Sequence, residues 1–270
     1  MKKLLALVLC LALVTLGLVA CNNDNDDGIT VIRIGATPTP HAEVLEFIAP
    51  YLLEEGIRLV IEEFTDFAFP NPSLTDGSLD ANYFQHVPFL DIYIERTGNQ
   101  LHVVGAIHIE PMGAYSLTLS HISELPYGAY VAIPDCPSNG PRALMLLEAH
   151  GLLTLNPDVG FRAGVLDIAY NPLNLRFIEM AAALLPRVML DREADLSIIN
   201  TNHVLGGAPG IDPMEDSLIM ESTDSPYANV LVVRPEDADN PAILTLLRHL
   251  QSERVRQFIL ENFSGVVPVF

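Results

Sequence analysis

The sequence predicts an α/β fold divided into two lobes, and three observations carry that expectation. Segments with the two-residue period of strands alternate with segments of helical spacing along most of the chain. Two such series of similar size follow one another and meet near residue 112. The chain has 270 residues, more than one compact lobe usually takes. We expect a leader over 1–20, a tether over 21–28, a first lobe over 29–112, a second over 113–223, and a return of 224–270 to the first.

The leader is read first, because it is removed. Lys2 and Lys3 precede an uncharged apolar run, Leu4 to Val19, that ends in Leu18-Val19-Ala20-Cys21. A charged start, a short apolar run and small residues before a cysteine are signs of a cleaved export signal whose cysteine thiol takes an acyl chain. A membrane-spanning helix needs roughly 20 apolar residues, and this run is shorter. Cys21 is therefore the expected lipidation site, holding the chain to the cell membrane on its extracytoplasmic side. Asn22 to Gly28 is polar and acidic, cannot pack, and reads as a flexible tether.

The body follows element by element. Val31 to Ala36 reads as a buried strand, and Thr37-Pro38-Thr39-Pro40 as a turn. His41 to Glu55 carries Val44, Leu45, Ile48 and Leu52 at helical spacing and stops at Gly56. Ile57 to Phe64 alternates as a strand, and Pro70-Asn71-Pro72 is expected to break the chain. Ala81 to Phe84 reads as a strand, Pro88 to Thr97 as a helix, and Leu101 to Ile109 as a strand running into Pro111-Met112-Gly113. In the second series, Tyr130 to Pro134, Leu175 to Met180 and Leu196 to Ile199 read as strands. Gly140 to His150 and Ala183 to Leu190 read as helices, and Gly206 to Gly210 as a glycine-rich connection. Asn229 to Val233 is the last clear strand. Pro241 to Phe263 is helical, with a break near Ser252.

Composition excludes several kinds of function. The formal charge is −20, and loss of the two leader lysines takes it to −22. No lysine remains beyond the leader, so arginines supply the permanent positive charge of the mature chain. A nucleic-acid binder needs a basic face, a P-loop needs its lysine, and so does a Schiff-base enzyme. Gly35 stands alone after the first strand, so there is no dinucleotide fingerprint, and no Gly-x-Ser-x-Gly elbow occurs. With Cys10 lost in the leader and Cys21 acylated, Cys136 is the one free cysteine, which excludes an internal disulfide and, without a placed base, reads as inert. His102 and His108 fall on one side of a strand by period but lack partners, so no metal is expected, nor any cofactor.

A few polar positions remain. Arg142 follows Ser138-Asn139-Gly140-Pro141, a capped helix start with proline in the first turn. A cation there opposes the helix dipole at a cost of roughly 0.3–1 kcal/mol. The placement suits a visiting anion, since helix-start N–H groups and a guanidinium fork form a carboxylate site. On that reading, removing Arg142 leaves the empty fold as stable or slightly more so. The alternative is a structural pair with Asp135 or Glu148. Asn200 follows a buried strand and Asn229 begins one; either could aim an amide into a crevice or merely cap a turn. Phe67, Phe84, His86 and Phe89 form an aromatic set whose ordinary fate is core packing.

The stretches TPTPHAEVLE, EFTDFAFPNPSLTDGSLDANYFQHVPFL, NGPRALMLLEAHGL, LSIINT and DSPYANVLVVR resemble, in this order, the methionine-binding lipoproteins of methionine ABC importers. The resemblance spans nearly all of the chain after the tether, and DANYFQHVPFL is its most specific block. It implies a two-lobed, type II periplasmic-binding-protein fold, with mixed sheets flanked by helices, and no enzymatic activity. It implies L-methionine or a close derivative as ligand and an ABC permease as partner. It gives Arg142 to the ligand carboxylate and Asn200 and Asn229 to the rest of the amino-acid moiety. Phe67, Phe84 and Phe89, with His86 at the edge, would enclose the side chain. Positions 67 and 89 are commonly tyrosine in that family and are phenylalanine here, which removes two hydroxyls from the wall. A methionine-containing dipeptide, another apolar amino acid, or a surface adhesion role for the same fold are the alternatives.

Overall fold

The computed structural model describes residues 28–270. The expected leader, Cys21 and the tether up to residue 27 lie outside the described residues. The chain opens with β1 (Thr30–Ala36), an irregular turn (Pro38–Ala42), α1 (Glu43–Glu54), β2 (Ile57–Glu63), α2 (Pro70–Thr75), β3 (Ala81–His86), α3 (Val87–Thr97) and β4 (His102–Ile109). There follow β5 (Gly113–Tyr115), β6 (Tyr130–Pro134), α4 (Asn139–Ala149), β7 (Thr154–Leu155), β8 (Ile168–Tyr170), β9 (Arg176–Met180), α5 (Leu185–Leu190), β10 (Leu196–Ile199), α6 (Thr201–Gly207) and β11 (Ile219–Met220). The last elements are β12 (Ala228–Val233), α7 (Pro241–Leu250), α8 (Glu253–Asn262) and β13 (Val267–Pro268).

Two mixed sheets result. The larger runs β13-β4-β12-β3-β1-β2, with β1 parallel to β2 and β3, and β12 antiparallel to both β3 and β4. The smaller runs β11-β5-β10-β6-β9, with β6 parallel to both β10 and β9 and β5 antiparallel to its neighbours. Each sheet is covered on both faces. In β12, Leu231 and Val233 pack with α1, α7 and α8, while Val230 and Val232 face Leu74 and Leu90 of α2 and α3. In β10, Leu196 and Ile198 join the core under α4, and Ile199 the core under α5 and α6. Such strands read as unbroken apolar runs because neither face meets water.

The structure departs from the sequence expectation at specific places. Pro70-Asn71-Pro72 does not break the chain but begins α2, where a first-turn proline has no hydrogen bond to lose. Gly206 and Gly207 close α6 rather than forming a loop. The stretch from Pro241 does divide, because Ser252 caps α8 through Oγ to the Val255 N–H at 3.4 Å. On β4, register shifts against β12 break the two-residue period. His102, the first residue of β4, is exposed, while His108 near the strand's other end is fully buried.

One glycine fixes how closely α4 meets the end of β6. A Cβ on Gly140 would lie 2.9 Å from the carbonyl oxygen of Pro134, a backbone atom that cannot swing aside. Gly140→Ala should therefore destabilise the protein by about 1–3 kcal/mol, the cost of overpacking. Urea denaturation measures this; an unchanged midpoint would mean that the strand end gives way freely.

Candidate functional site

The chain passes between the sheets twice. Glu110-Pro111-Met112 carries it from β4 to β5, and Glu221 to Tyr227 from β11 to β12. The two crossings are joined: the Glu221 N–H donates to the Met112 carbonyl at 2.9 Å, and the Met112 N–H to a Glu221 carboxylate oxygen at 3.2 Å. Beside them lie the ends of strands and the starts of helices from both sheets, where open α/β folds place ligands. His86 ends β3 and Phe89 lies in the first turn of α3; Arg142 sits in the first turn of α4; Asn200 follows β10 at the N-cap position of α6; Asn229 is the second residue of β12.

These residues enclose a small cavity of about 20 Å³. Arg142, Asn200, Asn229, Phe67, Phe84, His86 and Phe89 all line it, so the structure brings every sequence-expected site residue within its described part to one place. Phe67, Phe84 and Phe89 form a triangle, with ring centroids 5.7 to 6.2 Å apart. Beyond Phe67 and Phe89 lies an outer cavity of about 560 Å³, bordered by Ile92, Tyr93, Arg96, Cys136 and His203. The His203 ring lies 4.9 Å from that of Phe67, and its Nε2 is buried without a partner among the described residues.

Arg142 is more engaged than its sequence position suggested. Its Nε lies 3.1 Å from both Glu221 carboxylate oxygens, and one terminal nitrogen donates to Glu221 at 2.5 Å and to the Glu110 carbonyl at 2.7 Å. The guanidinium also stacks 4.1 Å from the centre of the Tyr227 ring. The structural partner is thus Glu221, across the second crossing, and neither Asp135 nor Glu148. The other terminal nitrogen, Nη1, has no hydrogen-bond partner among the described residues. Asn200 Oδ1 is buried with no partner either. His86 spans the sheets: its Nδ1 accepts the Phe89 N–H at 3.2 Å, and its Nε2 donates to Asn139 Oδ1 at 3.1 Å. Burial, helped by the Arg142 charge, holds its pKa down to about 3.

Sequence reasoning missed the group behind the cavity. Glu110 is buried, its Oε1 2.7 Å from His108 Nε2 and 3.3 Å from His41 Nε2, while its Oε2 accepts the Asn202 N–H at 3.2 Å. Tyr83 and Thr37 bond the far nitrogens of His108 and His41, at 2.5 and 2.7 Å. Burial would raise the Glu110 pKa, but His41, His108 and Arg142 outweigh it and bring it to about 2. A carboxylate receiving several N–H donors stays ionised even when buried. The signal was present in His108-Ile109-Glu110, two polar residues two apart at the end of an apolar strand, but the pairing of His108 with His102 drew the reading away. The ligand atoms of His41, His108 and Glu110 lie within 4.8 Å of one another, so this set could hold a cation. The hydrogen bonds among them use the same lone pairs.

Three histidines with lowered pKa make stability depend on pH. Burial is the largest cause of the low pKa in each: about 4 for His41, about 3 for His86 and about 4 for His203. The unfolded chain takes up these protons near pH 6.5, the folded one only near 4 or below. Their contribution is therefore fully present above pH 6.5 and lost as pH falls toward 4. Between pH 6.5 and 5, the protein should lose on the order of 1–2 kcal/mol per histidine, while Glu110 does not titrate. Urea denaturation at half-unit steps checks this; a flat profile would show that the folded state protonates these rings freely.

Comparison with known proteins agrees with this architecture. Residues 32–270 match the NlpA lipoprotein family. The methionine-binding lipoprotein MetQ of Bacillus subtilis is 37% identical, with 100% of this chain and 99% of that one covered. A nutrient binding protein from Burkholderia cenocepacia, solved bound to methionine, has a TM-score of 0.85 at 39% identity, covering 88% of this chain and 100% of that one. A periplasmic substrate-binding protein of an ABC transporter from Coxiella burnetii has a TM-score of 0.83 at 37% identity, covering 88% and 100%. The fold is accordingly that of the periplasmic substrate-binding proteins, as the sequence predicts. With the family match running from the first strand to the last residue, the chain belongs to the NlpA lipoproteins.

Proposed function

We propose that this protein captures L-methionine, or a close derivative, outside the cell membrane and delivers it to an ABC importer. The observation that carries the reading is the cavity itself. It joins a guanidinium, two asparagines and three phenyl rings, an apolar wall with a few convergent polar groups. Arg142 Nη1 serves the ligand carboxylate, and the unpartnered Asn200 Oδ1 accepts from the ammonium. The phenyl triangle packs around a thioether, which gains from sulfur–aromatic contact. These groups bind an amino acid and do no chemistry on it. The relatives named for methionine support the same ligand.

The rest of the reading follows from the sequence. The lobes divide at residues 112 and 223, the two crossings serve as hinge, and the closed form docks on a permease. No helix of the described residues is long and apolar enough to cross a membrane, and Cys21 carries the lipid that keeps the protein there. The outer cavity favours a second reading, a methionine-containing dipeptide, because it gives room next to Phe67 and Phe89.

A wall without hydroxyls penalises a polar side chain, since an unpaired buried polar group costs about 1–3 kcal/mol. Methionine should bind at least tenfold tighter than its sulfoxide, about 1.4 kcal/mol. Norleucine should lose only the sulfur–aromatic part, roughly 0.3–1.5 kcal/mol. Competition calorimetry with these and glycyl-methionine decides the matter. A clear win for glycyl-methionine would favour the dipeptide, and binding of none would sink both readings.

Arg142→Ala should weaken methionine binding by about 2–5 kcal/mol. The Glu221 pair reverses the sequence expectation for the ligand-free fold. Breaking it strands a carboxylate that is 15% exposed, so the variant should lose about 2–3 kcal/mol of stability, somewhat less than a fully buried pair. Calorimetry and ligand-free melting separate the two effects; full affinity with lost stability would make Arg142 purely structural.

A further inference from the structure

Asn229 offers the cavity only one side of its amide, and the residues behind it decide which. Its backbone is held by pairing on both sides, to His86 of β3 and His108 of β4, so the open question is the polarity of the side chain. Asn229 Oδ1 lies 3.2 Å from His41 Nε2. The same Nε2 lies 3.3 Å from the Glu110 carboxylate, and His41 Nδ1 lies 2.7 Å from the Thr37 hydroxyl.

A neutral imidazole carries one N–H. At neutral pH His41 is neutral, because burial holds its pKa near 4. Nε2 faces an ionised carboxylate, and a lone pair there would be repelled. The proton therefore sits on Nε2, and Nδ1 accepts from the Thr37 O–H. An N–H at Nε2 in turn accepts only one orientation of Asn229. Oδ1 must face inward, since Nδ2 would set N–H against N–H. Nδ2 is left for the cavity, where it has no partner among the described residues.

We propose that His41, set in its Nε2–H form by Glu110 and Thr37, is a positioning residue that makes Asn229 a donor toward the cavity. This rests on the amino-acid reading above and adds the direction in which the ligand lies. The carboxylate end belongs beside Asn229 Nδ2 and Arg142 Nη1, and the ammonium end beside Asn200 Oδ1. Neither His41 nor Thr37 touches the ligand.

Two measurements on the full mature chain test this. Long-range ¹⁵N–¹H spectra of the ligand-free protein at neutral pH should show the His41 proton on Nε2; a proton on Nδ1 overturns the proposal. Calorimetry with L-methionine should then separate two variants. His41→Gln, which keeps an N–H near Nε2, should stay within about threefold of the parent, while His41→Leu should bind at least about tenfold more weakly, as for loss of an oriented charge-assisted hydrogen bond. Placed in an Asn229→Ala background, His41→Leu should weaken binding by less than about twofold further, since the effect acts through Asn229. Equal losses in both backgrounds, or equal losses for Gln and Leu, would make His41 merely structural. A parent that shows the Nε2 proton but does not bind methionine would instead remove the amino-acid reading and leave the amide orientation standing.

Discussion

One ionised carboxylate, buried where the chain leaves the larger sheet, sets the arrangement of everything around it. Glu110 meets no guanidinium through its side chain. It is held by N–H groups from His41, His108 and Asn202, while its carbonyl holds Arg142. A buried charge is tolerable only when its lone pairs are filled. Filling them takes two histidines from the larger sheet's side and a helix start from the smaller sheet's side. The demand of a single acid thus draws both halves of the molecule to one point, and the cavity forms beside it.

A second charge arrangement works at the other crossing. Arg142 and Glu221 are both part of the smaller sheet's surroundings, 79 residues apart, and their pair ties a helix start to a connecting strand. In a chain whose only lysines are Lys2 and Lys3, the planar guanidinium can serve a carboxylate on one edge and present a free nitrogen on another. Lysine, a single point charge on a flexible stem, could not divide its work in this way.

Local signals in the sequence were read well where the physics is local. The helix break near Ser252, the strands buried on both faces, and Arg142 in a first turn all follow from neighbours within a few residues. Proline punctuation misled at Pro70, because the same residue that ends one helix begins another, and only the following chain decides. The period of β4 did not separate His102 from His108, because burial there changes along the strand and not between its faces. What lay beyond reach was long-range pairing. His41 meets Asn229 across 188 positions and Arg142 meets Glu221 across 79, and no spacing rule connects them. The aromatic set and the asparagines were identified by family resemblance, not by pattern, because a phenylalanine lining a cavity and one filling a core look alike in sequence.

Phe67 and Phe89 border both cavities, so they act as a partition between a small chamber and a much larger one. Ligand pockets are lined mainly by side chains, so a wall can be moved without a change of fold. Here the boundary is two side chains on a loop and a helix start. An exchange of either ring for a smaller residue would join the spaces without disturbing the groups that grip the amino-acid moiety. A gene of this kind can therefore drift toward longer ligands in single steps, keeping recognition of one end while the other is free to vary. The same property makes the protein a ready scaffold for sensors of elongated amino-acid derivatives.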